Sequence, residues 1–494
     1  MYARLSDKPT PENYLKFYNL RLAMKIDLLT HSALLAGAIV APTAAGATTP
    51  TTATPKEQRP NIILIMTDQQ TASAMSCAGN LDLNTPAMDA LAEDGVRLER
   101  AYCPFPLSGP CRASMMTGLM PTEIGATDNG IQPDEEAMSR SIGYLMSEAG
   151  YESLYAGKWH ASEVNLPEEG RGFKKVCNMD DRTMVENIAT ALAERDTQKP
   201  LFLVASFLDP HEICEFARSQ TLPYGEVEIP RTEECPNLPS NFQPSTYEPE
   251  AIGLRKAAHP RSHPTATYTE DDWREYLWAY YRLTERVDKH IGDLVALLKK
   301  ERLYDSSLIL FCSDHGDGAA SHHWNQKWIL QEECVNVPLI VKAPKSDRKA
   351  LRGATNTTAL SNIGLDLVRT ICDYGGVELD GEKYRGKSLR GVLHKEEAPL
   401  HEEVFIETLL SEINVRGWAI VDGKYKYVLY NHFRNREQLF DVENDRGEMV
   451  NLAVEKKYEP TIKRLREKMY AWGLHTGDKQ LIRALGPLVE KSKE

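Results

Sequence analysis

The sequence predicts an α/β protein: a large, mostly parallel sheet flanked by helices, followed by a smaller antiparallel sheet. Three observations carry this. Short uninterrupted apolar runs recur, beginning with Asn61-Ile-Ile-Leu-Ile-Met66, as strands covered on both faces require. Segments of helical spacing alternate with these runs, the order that yields parallel pairing. From Trp418 the texture changes to a hairpin, with Asp422-Gly423 as its turn.

Taken in order, residues 86–92 read as a helix, as do Ser139 to Ala149, before a strand over Tyr151–Tyr155. Met184–Arg195 is helical and residues 200–207 form another buried strand. Residues 212–266 break the rhythm with many prolines and two cysteines, Cys214 and Cys235, and read as an insertion over the sheet edge. Thr269 to Arg302 is one long amphipathic helix. Strands follow at Ser307–Cys312 and Val335–Val341, then Gln438–Asp441 and a closing helix over Tyr458–Trp472. These elements divide the chain into a catalytic domain over 60–374 and an antiparallel subdomain over 375–494.

Residues 1–59 are different material. Met24-Lys25, an apolar run ending at Ala41 and small residues through Ala47 have the pattern of a secretory signal. The expected start is Met24, with cleavage near Ala47 and a Thr/Pro/Ala linker over 48–59. The run is too short and interrupted to span a membrane, so a periplasmic or secreted protein is expected. Net charge is 58 − 71 = −13, which excludes a nucleic-acid binder working through a broad basic surface. Nine cysteines in 494 residues are too few for a disulfide framework; Cys214 and Cys235 could pair after export or both stay free.

Ligands of open α/β sheets bind where loops leave the carboxyl ends of strands, and the polar residues gather there. Thr67-Asp68-Gln69 follows the first strand, Gly157-Lys158-Trp159-His160 the next, Asp209-Pro210-His211 the third and Ser313-Asp314-His315 the fourth. Asp68 and Gln69 with Asp314 and His315 form two short ligand pairs, and three of the four side chains offer the oxygen that hard divalent cations take. Either pair alone reads better as a helix cap; the joint pattern shifts the reading towards a metal. Lys158, His160, His211 and Lys327 add cations and proton-transfer groups, and Arg112, opening a helix, could hold an anion. Such a set describes a pocket for a tetrahedral oxyanion such as sulfate or phosphate.

On these residues the sequence resembles the type I sulfatases of the alkaline phosphatase superfamily. Their signature stands here as Ser108-Gly-Pro-Cys-Arg112, followed by Thr117-Gly118. The motifs Ala156-Gly-Lys-Trp-His160, Asp209-Pro-His211 and the stretch Leu439 to Leu452 extend the resemblance over about residues 60–470. Only Ser108 places Pro110 third and Arg112 fifth; neither Cys103 nor Cys111 does.

The resemblance implies an alkaline phosphatase-like fold, and that Ser108 is oxidised to formylglycine by an anaerobic-type radical sulfatase-maturating enzyme. It further implies that the hydrated aldehyde, beside a divalent cation on Asp68, Gln69, Asp314, His315 and residue 108, attacks a sulfate ester. Arg112, Lys158 and Lys327 would stabilise charge, His211 would protonate the departing alcohol, and His160 would release the sulfate. Calcium is the first choice that the resemblance implies. Gln69 and His315 depart from the commonest metal set of three Asp and one Asn, and the one negative charge lost weakens the case for tight calcium and leaves manganese or magnesium open. Cys111 replaces the usual small hydroxyl residue of the signature. The implied substrate is a sulfated carbohydrate, for whose ring His322, His323, His432 and Arg434 are weaker candidate contacts. Two alternatives use the same residues: a phosphodiesterase or phosphonate monoester hydrolase of the superfamily, and a non-catalytic glycan-binding relative. A two-zinc phosphatase would need more His and Asp ligands than these loops display.

Overall fold

A computed structural model describes residues 59–396 and 399–491. The signal segment, the start at Met24 and the cleavage near Ala47 lie outside them. The strands in chain order are β1 (Asn61–Thr67), β2 (Val96–Leu98), β3 (Ala101–Tyr102), β4 (Glu152–Gly157), β5 (Lys174–Cys177), β6 (Leu201–Ser206), β7 (Ser307–Ser313), β8 (Leu339–Lys342), β9 (Ala354–Asn356), β10 (Ser361–Asn362), β11 (Val404–Leu410), β12 (Val415–Val421), β13 (Tyr425–Tyr430) and β14 (Glu437–Asp441). The large sheet has the order β5-β4-β6-β1-β7-β8-β2-β9. β1 lies at its centre, parallel to both β6 and β7.

Alternation along the central strands divides the core. Ile62, Leu64 and Met66 with Leu308 and Leu310 face one layer of helices, and Ile63 and Ile65 with Ile309 and Phe311 face the other. A sheet covered on both faces explains why the interiors of these strands, residues 62–66 and 308–312, are apolar throughout. The second layer includes the helix Glu270–Lys300, opened by a capping box between Thr269 and Asp272. Its Val287, Ile291, Leu294 and Leu298 recur at helical spacing against the sheet. On the first face, Ser108–Thr117 crosses Ile363–Gly375 closely. A Cβ at Gly364 would meet Ser114 Oγ at 2.3 Å, so only glycine admits this approach.

One expectation changes and one open question closes. The segment read as a strand over Val335–Val341 begins as the end of a short helix, and pairing starts only at Leu339. That strand, β8, runs antiparallel to β7 and β2. A buried apolar run carries no sign of its direction, which explains the difference. Cys214 and Cys235 do not pair: all nine cysteines are free thiols. Denatured protein is therefore expected to take nine alkylating groups without prior reduction, and mass spectrometry showing seven would contradict this.

The C-terminal sheet runs β11-β12-β13-β14, antiparallel throughout. Asp422 accepts the Tyr425 amide at the predicted turn. Trp418, Ile420, Tyr427 and Leu429 face the helices Glu459–Thr476 and Lys479–Lys491, while Ile406, Ala419, Val421 and Val428 join the main core. No helix among the described residues is long and apolar enough to cross a membrane.

Candidate active site

The ends of β1, β4, β6 and β7 meet the start of the Ser108–Thr117 helix, and the predicted residues converge there. Ser108 is buried, its Oγ 2.9 Å from His315 Nε2 and 3.4 Å from Asp68 Oδ2. His315 Nδ1 lies 2.9 Å from the Gly316 carbonyl. That bond assigns the proton to Nδ1 and leaves the Nε2 lone pair facing Ser108 and the carboxylates.

Arg112 stands one helical turn beyond Ser108 and holds the centre together. Its Nε donates to Asp314 at 2.6 Å and its Nη2 to Asp68 at 3.0 Å. Its Nη1 donates to the Lys158 carbonyl and to Ser206 Oγ. Lys158 Nζ is 2.6 Å from Asp68 Oδ2. Lys158 follows Gly157, whose φ of +93° and closeness to the Ser206 carbonyl exclude a side chain. Burial alone would raise the Asp68 pKa, but Lys158, His211, Arg112 and Lys327 together hold it well below the usual carboxylate range.

Two carboxylates and an imidazole, with ligand atoms within 4.8 Å of one another, form the set Asp68, Asp314 and His315. Anionic oxygens beside a neutral ring nitrogen suit a divalent cation, so the residues fit the ion that the resemblance implies. Gln69 lies against this centre, its backbone amide donating to Asp314 Oδ1 at 3.2 Å. Its Oε1 accepts from Lys327 Nζ at 2.8 Å and its Nε2 donates to Asp317 at 2.7 Å.

Lys327 and His211 complete the pocket. His211 Nε2 lies 4.0 Å from Asp68 Oδ1, and its side chain is 24 % exposed, against near-complete burial of Ser108, Lys158 and Lys327. It thus faces the solvent side of the cluster. Burial, with the ammonium groups of Lys327 and Lys158, lowers its pKa well below the ordinary imidazole value. His160 is likewise lowered to about 3, by burial and then Lys158, and its Nδ1 has no partner. Against the carboxylates of Asp68 and Asp314, Arg112, Lys158 and Lys327 leave one positive charge in excess. The pocket favours an anion.

The weaker candidates lie elsewhere. His322 is tied through its amide to the Asn241 carbonyl, and His323 packs its ring on Phe242 at 4.1 Å. His432 is exposed beside Phe433, and Arg434 pairs with Glu250 at 3.1 Å. Among the described residues, none of the four side chains bonds to Ser108, Asp68, Asp314 or His315. Sequence reasoning missed Asp317, which accepts from Gln69, Tyr276, Ala319 and Gln326. It also missed Ser206, and Asn129, whose Oδ1 accepts the Gly109 amide at 2.9 Å.

The sulfatase family model matches residues 60–377, and the model for the C-terminal part of N-sulphoglucosamine sulphohydrolase matches 320–473. The chain belongs to the sulfatase family. The Δ4,5-hexuronate-2-O-sulfatase of Bacteroides thetaiotaomicron is 27% identical over 430 residues, 81% of this chain and 86% of that protein. The N-acetylglucosamine-6-O-sulfatase of the same organism is 25% identical, covering 83% of this chain and 85% of its own length. A solved 2-O GAG sulfatase superposes with a TM-score of 0.75 at 27% identity, covering 85% of this chain and 93% of that one. A phosphonate monoester hydrolase of Agrobacterium radiobacter shares the fold, with a TM-score of 0.68 at 20% identity over 84% of this chain and 96% of that one. The sulfatase is a hydrolase of sulfate esters, and its alkaline phosphatase-like fold is the one expected from the signature.

Proposed function

We propose that this sulfatase is exported and removes sulfate from a sulfated carbohydrate, using formylglycine made from Ser108 by a radical maturase. The observation that carries this is Ser108 at the start of a buried helix. There it faces His315 and Asp68, with Arg112 of the same helix fastening both carboxylates. The glycosaminoglycan and amino-sugar substrates in the relatives' names support the carbohydrate, and the apolar run before Ala47 supports export.

Asp68, Asp314 and His315 would hold one divalent cation, calcium by first choice, which would acidify a hydroxyl on residue 108 and shield the approaching anion. Formylglycine, when hydrated, supplies one hydroxyl for attack and a second through which sulfate is released. Lys158 and Arg112 keep Asp68 ionised and aimed. Lys327, fixed on Gln69, offers its ammonium group to the sulfuryl oxygens. His211 delivers a proton to the leaving oxygen. An incoming sulfate ester is anionic, so it offsets the ammonium charges that depress this imidazole and raises its proton affinity. His160, kept neutral, takes the proton from the second hydroxyl.

His211→Ala is expected to lower kcat/KM for an alkyl sulfate about 100-fold, with much less loss on 4-nitrophenyl sulfate, whose leaving group needs no proton. Equal losses would remove the acid role. Matured protein should prefer 4-nitrophenyl sulfate to an aryl phosphodiester by kcat/KM; the reverse preference would replace this reading by the phosphodiesterase one.

A further inference from the structure

Against Trp328, the residue that follows Lys327 in the chain, the structure holds a buried cation that the reaction above does not use. Arg255 lies in the helix Glu250–Ala258 of the insertion and is 0% exposed. Its Nε is 3.0 Å from Glu412 Oε2, out of line for a hydrogen bond, and neither Nη1 nor Nη2 has a partner. A buried guanidinium without hydrogen bonds is costly to keep unless something else completes it.

Its surroundings say what that is. The guanidinium stacks 4.4 Å above the ring of Trp328. Trp328 follows Lys327 in the chain, and its amide donates at 3.0 Å to the Pro106 carbonyl in the turn entering the Ser108 helix. His263, also buried, lies with its ring 6.2 Å from that of Trp328 and leaves Nε2 unpartnered. His259 Nε2 is 3.6 Å from Glu412 Oε1. On the other side Asp128 lies within the field of Arg255. It precedes Asn129, which caps the nucleophile helix through Gly109. Glu412 and His259 are 26% and 34% exposed, so water reaches the cluster at these two side chains. Arg434 fastens Glu250 at the start of the Arg255 helix.

We infer that Arg255, with His259, His263 and the face of Trp328, forms a subsite for a carboxylate on the sulfated sugar, so that the substrate is a sulfated hexuronate. Glu412 occupies the subsite in the free protein as a poorly aligned carboxylate and gives way to the substrate's own. Arg is suited to this, because its planar fork binds a carboxylate through two parallel hydrogen bonds. A pocket built to hydrogen-bond a group also rejects the analogue lacking it, since its buried donors are then left unpaired. The inference rests on the sulfatase reading and extends it to substrate class; the relative named as a hexuronate sulfatase is consistent with it.

The test uses matured full-length protein and two probes: a 2-O-sulfated unsaturated hexuronate disaccharide and the same disaccharide with its carboxylate reduced to the alcohol. The native protein is expected to favour the carboxylate by at least about 100-fold in kcat/KM. In Arg255→Met the ratio should fall to within about threefold of unity, and in Glu412→Gln it should rise. Because both probes meet the same sample, the ratio is independent of how much variant folds or matures. A native ratio near unity overturns the subsite even if no variant can be made, and so does Arg255→Met with its preference intact. If matured protein cleaves neither probe but does cleave 4-nitrophenyl sulfate, the hexuronate is wrong and the sulfatase reading stands. If no sulfate ester is cleaved at all, both fall.

Discussion

Ser108→Ala is expected to abolish sulfate release while leaving the fold intact. The hydroxyl makes one good contact, with His315, and a long one to Asp68. Removing it should cost about 1 kcal/mol, a small shift in the thermal melt of a chain this size. The chemical loss should be complete, because no other side chain in the cluster can take up a sulfuryl group and then release it. Measurable turnover by the pure variant would dismiss residue 108 as the nucleophile. Gross unfolding would instead assign Ser108 a structural role.

Arg112 carries the opposite signature. It is wholly buried and its guanidinium binds Asp314, Asp68, the Lys158 carbonyl and Ser206. Arg112→Ala leaves two buried carboxylates short of a partner, and breaking a buried pair in this way costs about 3–5 kcal/mol. Denaturant melts should show that destabilisation, and kcat/KM should fall at least about 1,000-fold. Arg112→Lys should recover part of the stability but little activity, because one ammonium cannot reach both carboxylates while donating to Lys158 and Ser206. An Arg112→Ala melt that overlays the native one would contradict the account of how the centre is built.

Much of this centre was legible in the sequence because strand ends are legible. Apolar runs such as residues 61–66 and 307–312 are unmistakable, and the polar residues after them, Asp68 and Asp314, must then fall at one edge of the sheet. Direction was not legible: the run forming β8 looks the same whichever way it points. Adjacency along the chain also says little about where a side chain's hydrogen bonds go. Gln69 follows Asp68 but has φ +67° and sends its amide to Lys327 and Asp317. Asp317, Ser206 and Asn129 act on neighbours far away in the chain, so their partners appear only once the loops meet. Arg255 is the plainest case. It sits in a proline-rich insertion without a motif, and only its burial against Trp328 distinguishes it from a surface arginine.

The proposed reaction depends on the conversion of residue 108 to formylglycine. Mass spectrometry of the tryptic peptide spanning Ser108, from protein coexpressed with a radical sulfatase maturase, addresses this directly when sulfate release is assayed on the same preparation. The predicted result is a peptide lighter by two hydrogens, with activity proportional to its fraction and absent from protein made without the maturase. An unaltered serine in a preparation that releases sulfate at full rate would contradict it.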